Sequence, residues 1–323
     1  MSARVTAGGR LHFGFLNLSL ARDRLYGGVG IALDEPRVVV EASPAQSVEA
    51  AHPDAREYAR TAVDLLDVPG ATVEVVESLP RHEGLGSGTQ LALAVLEAVA
   101  AAHGESADPR ERAPALGRGG RSGVGVAAFE RGGFLVDAGH PTERFTTTRP
   151  ADGEWAVPPV MVRRPVPGTW RFVLARPDAP AGRHDDDEEA SMRSVVERAD
   201  PSVAEELADV LAGGVLPAVA TGDARAFGSA VARVNRLNGT WYADEQGGVY
   251  RPPVGAVVDE LSDDPAVYGA GQSSWGPTVF GVTDRDHAGA ARTAAEEALA
   301  GAGVDGEVRV VAASNEGAAV ERQ

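Results

Sequence analysis

The run Gly84-Leu85-Gly86-Ser87-Gly88-Thr89-Gln90 constrains this chain more than any other. It follows a strand-like stretch, Ala71-Thr72-Val73-Glu74-Val75-Val76, and leads straight into Leu91-Ala92-Leu93-Ala94-Val95-Leu96-Glu97-Ala98-Val99. Three glycines let the backbone turn tightly and approach a ligand closely. The Ser and Thr hydroxyls join the free amides of the following helix in facing an anion. The run reads as a phosphate cradle at a helix N-terminus; the plainer alternative is a Gly-rich turn that only caps the helix.

The cradle is not a P-loop, because no lysine follows its glycines. The chain has no lysine at all, so each of its 30 basic residues is Arg. Schiff-base and pyridoxal chemistry, which need a lysine amine, are excluded. With 0 Cys, so are thiol nucleophiles, disulfides, thiolate zinc sites and iron–sulfur clusters. The length of 323 residues fits two domains. No apolar run reaches the ~18 residues of a membrane span. The opening residues lack the apolar core of a signal peptide, so a cytoplasmic location is expected.

Net charge is −17, which disfavours nucleic-acid partners because phosphate backbones need a basic face. The acidic, aromatic-poor composition suits a high-salt cytoplasm, where screening weakens repulsion between carboxylates. The alternative is an ordinary acidic protein from a GC-rich genome. An acidic phosphate binder must gather positive charge locally. The best cluster is Gly117-Arg118-Gly119-Gly120-Arg121-Ser122-Gly123-Val124-Gly125, which otherwise is a flexible surface loop.

Along the chain, residues 4–18 predict a strand, followed by a turn and second strand at 26–33 that Val38-Val39-Val40 continues. Residues 54–67 predict a helix with Tyr58, Thr61, Ala62 and Leu65 on one face. Residues 133–139 predict a strand ending in a turn, and 141–168 a connector rich in Pro, Arg and Thr. A second unit starts near Trp170, with helices near 203–213, 216–236 and 286–301 and a late strand at 307–311. The patch Asp185-Asp186-Asp187-Glu188-Glu189 either holds Mg²⁺ for a diphosphate or is a solvated helix start. The segment Tyr268-Gly269-Ala270-Gly271-Gln272-Ser273-Ser274-Trp275-Gly276-Pro277-Thr278-Val279-Phe280 sets hydrogen-bonding side chains and a Trp in a glycine turn before a strand. Its polar groups can hold phosphate or ribose oxygens while the indole covers a ring. Alternatively it is a tight turn with Trp275 in the core.

Together these segments resemble the GHMP kinase superfamily. Its central motif, Pro-x-x-x-Gly-Leu-Gly-Ser-Ser/Gly, corresponds to Pro80-Arg81-His82-Glu83-Gly84-Leu85-Gly86-Ser87-Gly88, and its late glycine turn to residues 269–276. Within it the chain resembles the β-ribofuranosylaminobenzene 5′-phosphate synthase family. The matching segments include Gly9-Arg10-Leu11-His12-Phe13-Gly14, Gly27-Gly28-Val29-Gly30, Phe129-Glu130-Arg131-Gly132-Gly133-Phe134 and the Gly-rich runs above. The most specific is Gln272-Ser273-Ser274-Trp275-Gly276-Pro277.

The resemblance implies an α+β, two-domain fold. A GHMP-type phosphate-binding domain with a left-handed β-α-β unit would span 1–165, and a ferredoxin-like domain 166–323. It also implies decarboxylating transfer from 5-phosphoribosyl 1-diphosphate to 4-aminobenzoate or 4-hydroxybenzoate. The reaction gives a C-riboside 5′-phosphate, CO₂ and pyrophosphate, within methanopterin biosynthesis, with Mg²⁺ as expected cofactor. The substrate-binding residues would be Gly84, Leu85, Gly86, Ser87, Gly88, Thr89, Gln90, Arg118, Gly271, Gln272, Ser273, Ser274 and Trp275. Arg10, His12 and Arg121 would serve the chemistry, Arg10 or His12 by holding the benzoate carboxylate or acting as acid–base partner. The metal ligands, and the oligomeric state, a homodimer included, stay open.

One departure separates the chain from the kinases of the superfamily. Many place a catalytic Asp in a Gly-x-Gly-x-Asp segment shortly before a Gly-Gly pair. Here Gly125 stands at the Asp position, ahead of Gly132-Gly133, and the supporting lysine is absent. Three functions therefore compete: the synthase, an ATP-dependent small-molecule kinase, and a non-catalytic binder of phosphate ligands.

Overall fold

A hairpin of two long strands, β1 (Ala3–Asn17) and β2 (Arg24–Pro44), organises the first half of the chain. The structure, a computed structural model, describes residues 2–145, 150–179 and 185–323, without the side chains of 185–188. After the hairpin come β3 (Glu49–Ala50), α1 (Pro53–Leu66), β4 (Ala71–Glu77), α2 (Ser87–His103), α3 (Pro109–Arg112), α4 (Val124–Arg131), β5 (Phe134–Asp137), β6 (His140–Pro141) and β7 (Val160–Arg164). Next are β8 (Trp170–Pro177), α5 (Asp185–Arg198), α6 (Pro201–Val210), α7 (Leu216–Thr221) and α8 (Ala224–Gln246). The chain finishes with α9 (Val254–Ser262), β9 (Gly269–Gln272), β10 (Val279–Asp284), α10 (Ala288–Gly301), β11 (Gly306–Val311) and β12 (Ala319–Arg322). The architecture is α+β.

One sheet runs β12-β1-β2-β4-β3, and β2 is long enough to pair with β4 at one end and β5 at the other. The last strand, β12, returns to β1, with Ala3 opposite Arg322. The second sheet, β11-β8-β10-β9, is antiparallel throughout. Phe13 of β1 meets Phe227 of α8 and Phe280 of β10 edge-on, with ring centres 5.8 and 5.0 Å apart, so one core continues from the first sheet into the second half. That shared core fixes β1 against the turn between β9 and β10.

Helix α2 is apolar on all sides and almost wholly buried, as a sequence without a polar stripe requires. Its ends are set by Gly86 and Gly104, both left-handed at φ 83° and 80°. In α1 the buried positions are Ala55, Ala59 and Ala62, so the buried stripe is displaced from the expected one: Thr61 instead bonds back to the Glu57 carbonyl. Part of the expected connector is strand: β7 pairs with β5. Some of the connector, residues 146–149, lies outside the described residues. The expected helix at 216–236 is two helices. Gly222 ends α7 in the left-handed region, Asp223 caps Ala226 N, and α8 runs on to Gln246. Helices α4 and α9 and strand β12 had no counterpart in the sequence reading.

Candidate active site

The loop at 84–90 is shaped by what crowds its glycines. Gly84 and Gly86 are left-handed, at φ 82° and 83°. A Cβ on Gly84 would collide with the Ser273 carbonyl. On Gly86 it would lie 3.2 Å from Arg10 Cγ, and on Gly88 3.1 Å from an Arg118 guanidinium nitrogen. Two arginines thus lie directly against the loop. Arg10 also donates to the Gly84 carbonyl, and Arg118 to the Tyr58 hydroxyl, with its guanidinium 5.3 Å from the Tyr58 ring centre. Arg118 Nε is buried with no hydrogen-bond partner among the described residues.

No side chain caps α2. The amides of Thr89 and Gln90 bond the Gly86 carbonyl, whereas those of Ser87 and Gly88 have no partner among the described residues, nor do the Ser87 and Thr89 hydroxyls. Donors left over at a helix N-terminus beside two arginines are what an anionic group requires. Two residues assigned to this cradle belong to the scaffold instead. Leu85 is fully buried in the core, and its carbonyl accepts from Arg10 N at 3.0 Å. Gln90 is fully buried and donates to the Gly125 carbonyl at 2.9 Å.

Arg121 stands apart from that pair. It is ion-paired with Glu189 of α5 and hydrogen-bonds Tyr26. Of the acidic patch, Asp185 begins α5, and the side chains of Asp185, Asp186, Asp187 and Glu188 lie outside the described residues.

His12 sits two residues from Arg10 on β1, hence on the same face and roughly 7 Å along the strand. Its Nε2 is 3.2 Å from Ser122 Oγ, which donates to Asp137 Oδ2 at 3.0 Å. The single hydroxyl hydrogen of Ser122 is thereby used, so Oγ accepts from His12. This assigns the imidazole hydrogen to Nε2 and leaves a lone pair on Nδ1, which has no partner among the described residues. Burial first, and then the charge of Arg10, push the His12 pKa down from 6.5 to about 3, so the ring is neutral. It is therefore no proton donor at neutral pH, contrary to one of the roles expected for it.

Asp137, at the end of β5, is 1 % exposed. Burial pushes its pKa up, while the amides of Gly139, Gly28 and Gly123 and the Ser122 hydroxyl pull it down. The Gly123 and Gly139 amides lie at 2.8 and 2.9 Å. The sequence reading missed both Ser122 and Asp137. The available signal was Gly28, where a Cβ would collide with Ser122 Oγ and come within 2.9 Å of His12 Nε2.

The turn at 271–277 is sewn to β1 and the loop. Ser273 Oγ donates to the Gly84 carbonyl at 2.7 Å and accepts from His12 N at 3.1 Å, and Ser274 N donates to the His12 carbonyl at 3.1 Å. From α8, Asn235 spans Phe13 O and both backbone groups of Gln272 at 2.8 Å each. A Cβ on Gly271 would strike that Asn235 side chain. Asn238 clasps both backbone groups of Phe15. Gln272 and Ser273 are buried and serve this seam, which corrects their assignment as open phosphate ligands. Trp275 is half-buried, edge-on to Tyr242 with ring centres 4.8 Å apart. Both line a pocket of about 50 Å³ beside His12.

Among the described residues no three His, Asp or Glu side chains gather as a metal site. The two carboxylates found here, Asp137 and Glu189, are committed to hydrogen bonds and to Arg121. These residues do not make a protein cage for Mg²⁺. No helix among the described residues is long and apolar enough to cross a membrane.

Residues 53–133 match the family described as GHMP kinases N terminal domain, and 215–301 that described as GHMP kinases C terminal. A β-ribofuranosylphenol 5′-phosphate synthase of Methanothermobacter thermautotrophicus is 34 % identical, covering 89 % of this chain and 90 % of that protein. One of the same name from Archaeoglobus fulgidus is 31 % identical over 98 % of this chain and 99 % of that protein. Among solved structures, a homoserine kinase of Cytophaga hutchinsonii shares the fold at a TM-score of 0.66 and 18 % identity, covering 99 % of this chain and 97 % of that one.

Proposed function

We propose, from the premise that this chain belongs to the β-ribofuranosylphenol 5′-phosphate synthase family on the GHMP kinase fold, that it joins 5-phosphoribosyl 1-diphosphate to 4-hydroxybenzoate with loss of CO₂ and pyrophosphate. The acceptor follows the phenol in the relatives' name; 4-aminobenzoate is the competing acceptor. The observation that carries the reading is the convergence of Arg10, Arg118 and the unpartnered Ser87 and Gly88 amides on one loop. Among the described residues no carboxylate is bonded to Arg118 or to those amides.

The bonds made and broken need no net proton. The bond from the anomeric carbon to the diphosphate oxygen breaks, and its electron pair leaves with pyrophosphate. The ring carbon bearing the carboxylate attacks the cationic sugar carbon. The bond to CO₂ then breaks, and its pair restores the aromatic ring. Arg10, Arg118 and the loop amides stabilise the leaving diphosphate, a role that grows as charge develops on it. His12, neutral and fixed by Ser122 and Asp137, offers a hydrogen-bond acceptor and moves no proton through the cycle. Mg²⁺ would travel with the substrate, held by diphosphate oxygens and water as this ion prefers.

The test is incubation with 5-phosphoribosyl 1-diphosphate, Mg²⁺ and either benzoate, in molar KCl as well as dilute buffer. Pyrophosphate and CO₂ should appear in equal amounts. ADP formed from ATP with a hydroxyl acceptor, and no pyrophosphate from the diphosphate sugar, would replace the synthase with a kinase.

A further inference from the structure

The pocket beside His12 is walled by aromatic rings. Phe15, Tyr242, Tyr250 and Trp275 line it together with His12, and no lining side chain among the described residues is charged. In a chain of net charge −17, a wall free of carboxylates is uncommon ground for an organic anion. Its side-chain amides at 235, 238 and 272 are already used. Asn235 and Asn238 bond backbone on both sides, and Gln272 donates to the Ser274 carbonyl at 3.0 Å and accepts from Arg251 N at 3.2 Å. What remains for a ligand is ring surface, His12 Nδ1 and the Tyr250 and Ser274 hydroxyls, none of which has a hydrogen-bond partner among the described residues. A sugar would find few open hydrogen bonds in this lining; a flat ring finds stacking and edge contacts.

We infer that this pocket is the acceptor subsite, taking the ring of a 4-substituted benzoate against Trp275 and Tyr242, with its carboxylate end towards Arg10. The assignment rests on the synthase reading and adds the place of the second substrate. It agrees with the order of groups along β1. Arg10 lies against the phosphate loop, His12 comes next on the same face, and Phe13, Gly14 and Phe15 continue into the pocket. The reacting ring carbon would then lie at the end of the pocket nearest the 84–90 loop. The pocket's 50 Å³ is smaller than the roughly 150 Å³ cavity that admits benzene. Entry of the ring therefore requires the half-buried Trp275 or Tyr242 to turn aside.

Two variants act on the pocket in opposite ways: Tyr242→Ala removes a wall, and Val249→Phe fills the space. Each should raise the KM for 4-hydroxybenzoate by about tenfold or more while the KM for 5-phosphoribosyl 1-diphosphate stays within about twofold. Circular dichroism melting establishes which variants are folded. Tryptophan emission, titrated with 4-hydroxybenzoate alone, supplies a readout that does not need turnover. It should quench in the wild type and respond much less in Trp275→Phe. Unchanged acceptor KM in the folded variants, or equal rises in both KM values, would overturn the assignment. If the wild type makes neither pyrophosphate nor CO₂, the synthase reading fails, and the titration alone decides the pocket: no quenching refutes it, and quenching lost with Trp275 upholds it as an arene site.

Discussion

Replacing Ser122 with Ala would test whether one hydroxyl fixes the state of His12. The hydroxyl takes part in three hydrogen bonds, donating to Asp137 Oδ2 at 3.0 Å and accepting from His12 Nε2 and Val124 N, each at 3.2 Å. Asp137 keeps the Gly123 and Gly139 amides, so its carboxylate stays satisfied. The main cost falls on His12, whose Nε2–H is left in a site 6 % exposed. A buried donor without a partner costs about 1–3 kcal/mol, which is the expected loss of stability. The imidazole can relieve part of it by moving its hydrogen to Nδ1, which removes the acceptor offered at that atom. We expect kcat to fall about 10- to 100-fold, equivalent to about 1.4–2.8 kcal/mol at the transition state, with the KM for 5-phosphoribosyl 1-diphosphate little changed. The tautomer is read directly by nitrogen–proton NMR correlation on histidine-labelled protein, with His12→Gln identifying the signal. Hydrogen found on Nδ1 in the wild type, or an unchanged tautomer and kcat in Ser122→Ala, would refute the reasoning.

The other predictions follow from the same geometry. Gly86→Ala places a Cβ at φ 83° beside Arg10, costing about 1–2 kcal/mol of stability and raising the KM for the diphosphate sugar; an unaltered KM in the folded variant counts against the cradle. Arg118→Ala should raise that KM without changing the acceptor's. Arg121→Ala, which removes the part-exposed ion pair with Glu189 and the hydrogen bond to Tyr26, should move stability by no more than about 1–2 kcal/mol, measured by urea unfolding. With its pKa depressed from 6.5 to about 3, His12 favours folding fully above pH 6.5 and loses that contribution as pH falls towards 3. At about 1.36 kcal/mol per unit this amounts to as much as ~5 kcal/mol, while Asp137, raised by burial, acts in the opposite sense. The acid slope of stability should therefore flatten in His12→Gln, and an identical slope would show that the ring titrates normally.

The turn at 84–86 and the helix start after it were legible because their constraints are local. Left-handed Gly84 and Gly86, and a helix that starts without a capping side chain, are written in neighbouring residues. The His12–Ser122–Asp137 chain was not, because it exists only where β1, the segment before α4 and the end of β5 meet across more than a hundred residues. Gly28 carried the trace of that meeting but reads in sequence as an ordinary turn glycine. Asn235 and Asn238 lie three apart on α8, a spacing that puts both on one face, yet a helix thought to stop at 236 cannot display it. The break before α8 was readable, since Gly222 followed by Asp223 is a helix stop beside a helix start. Strand β7, Val-Met-Val-Arg-Arg, has no alternation to reveal it and is made by its partner β5.

Charge explains how so acidic a chain can serve a diphosphate. A carboxylate near the loop would oppose a multiply charged ligand, and among the described residues those nearby have partners within the protein, Glu83 with Arg176 included. Asp137 is enclosed by backbone amides and Ser122, and Glu189 is paired with Arg121. Arg10 donates to the Gly84 carbonyl and Arg118 to the Tyr58 hydroxyl, both neutral groups. Arginine keeps its charge even when buried, and its flat fork suits phosphate oxygens. Gly125 packs against Thr89 of the loop, and a Cβ there would lie 3.2 Å from Thr89 Cγ2. An Asp side chain at 125 would crowd the cradle and set a negative charge beside it. The glycine therefore leaves the loop uncrowded at this position and puts no carboxylate there. That combination suits a reaction in which diphosphate leaves and carbon attacks, with no hydroxyl proton to take.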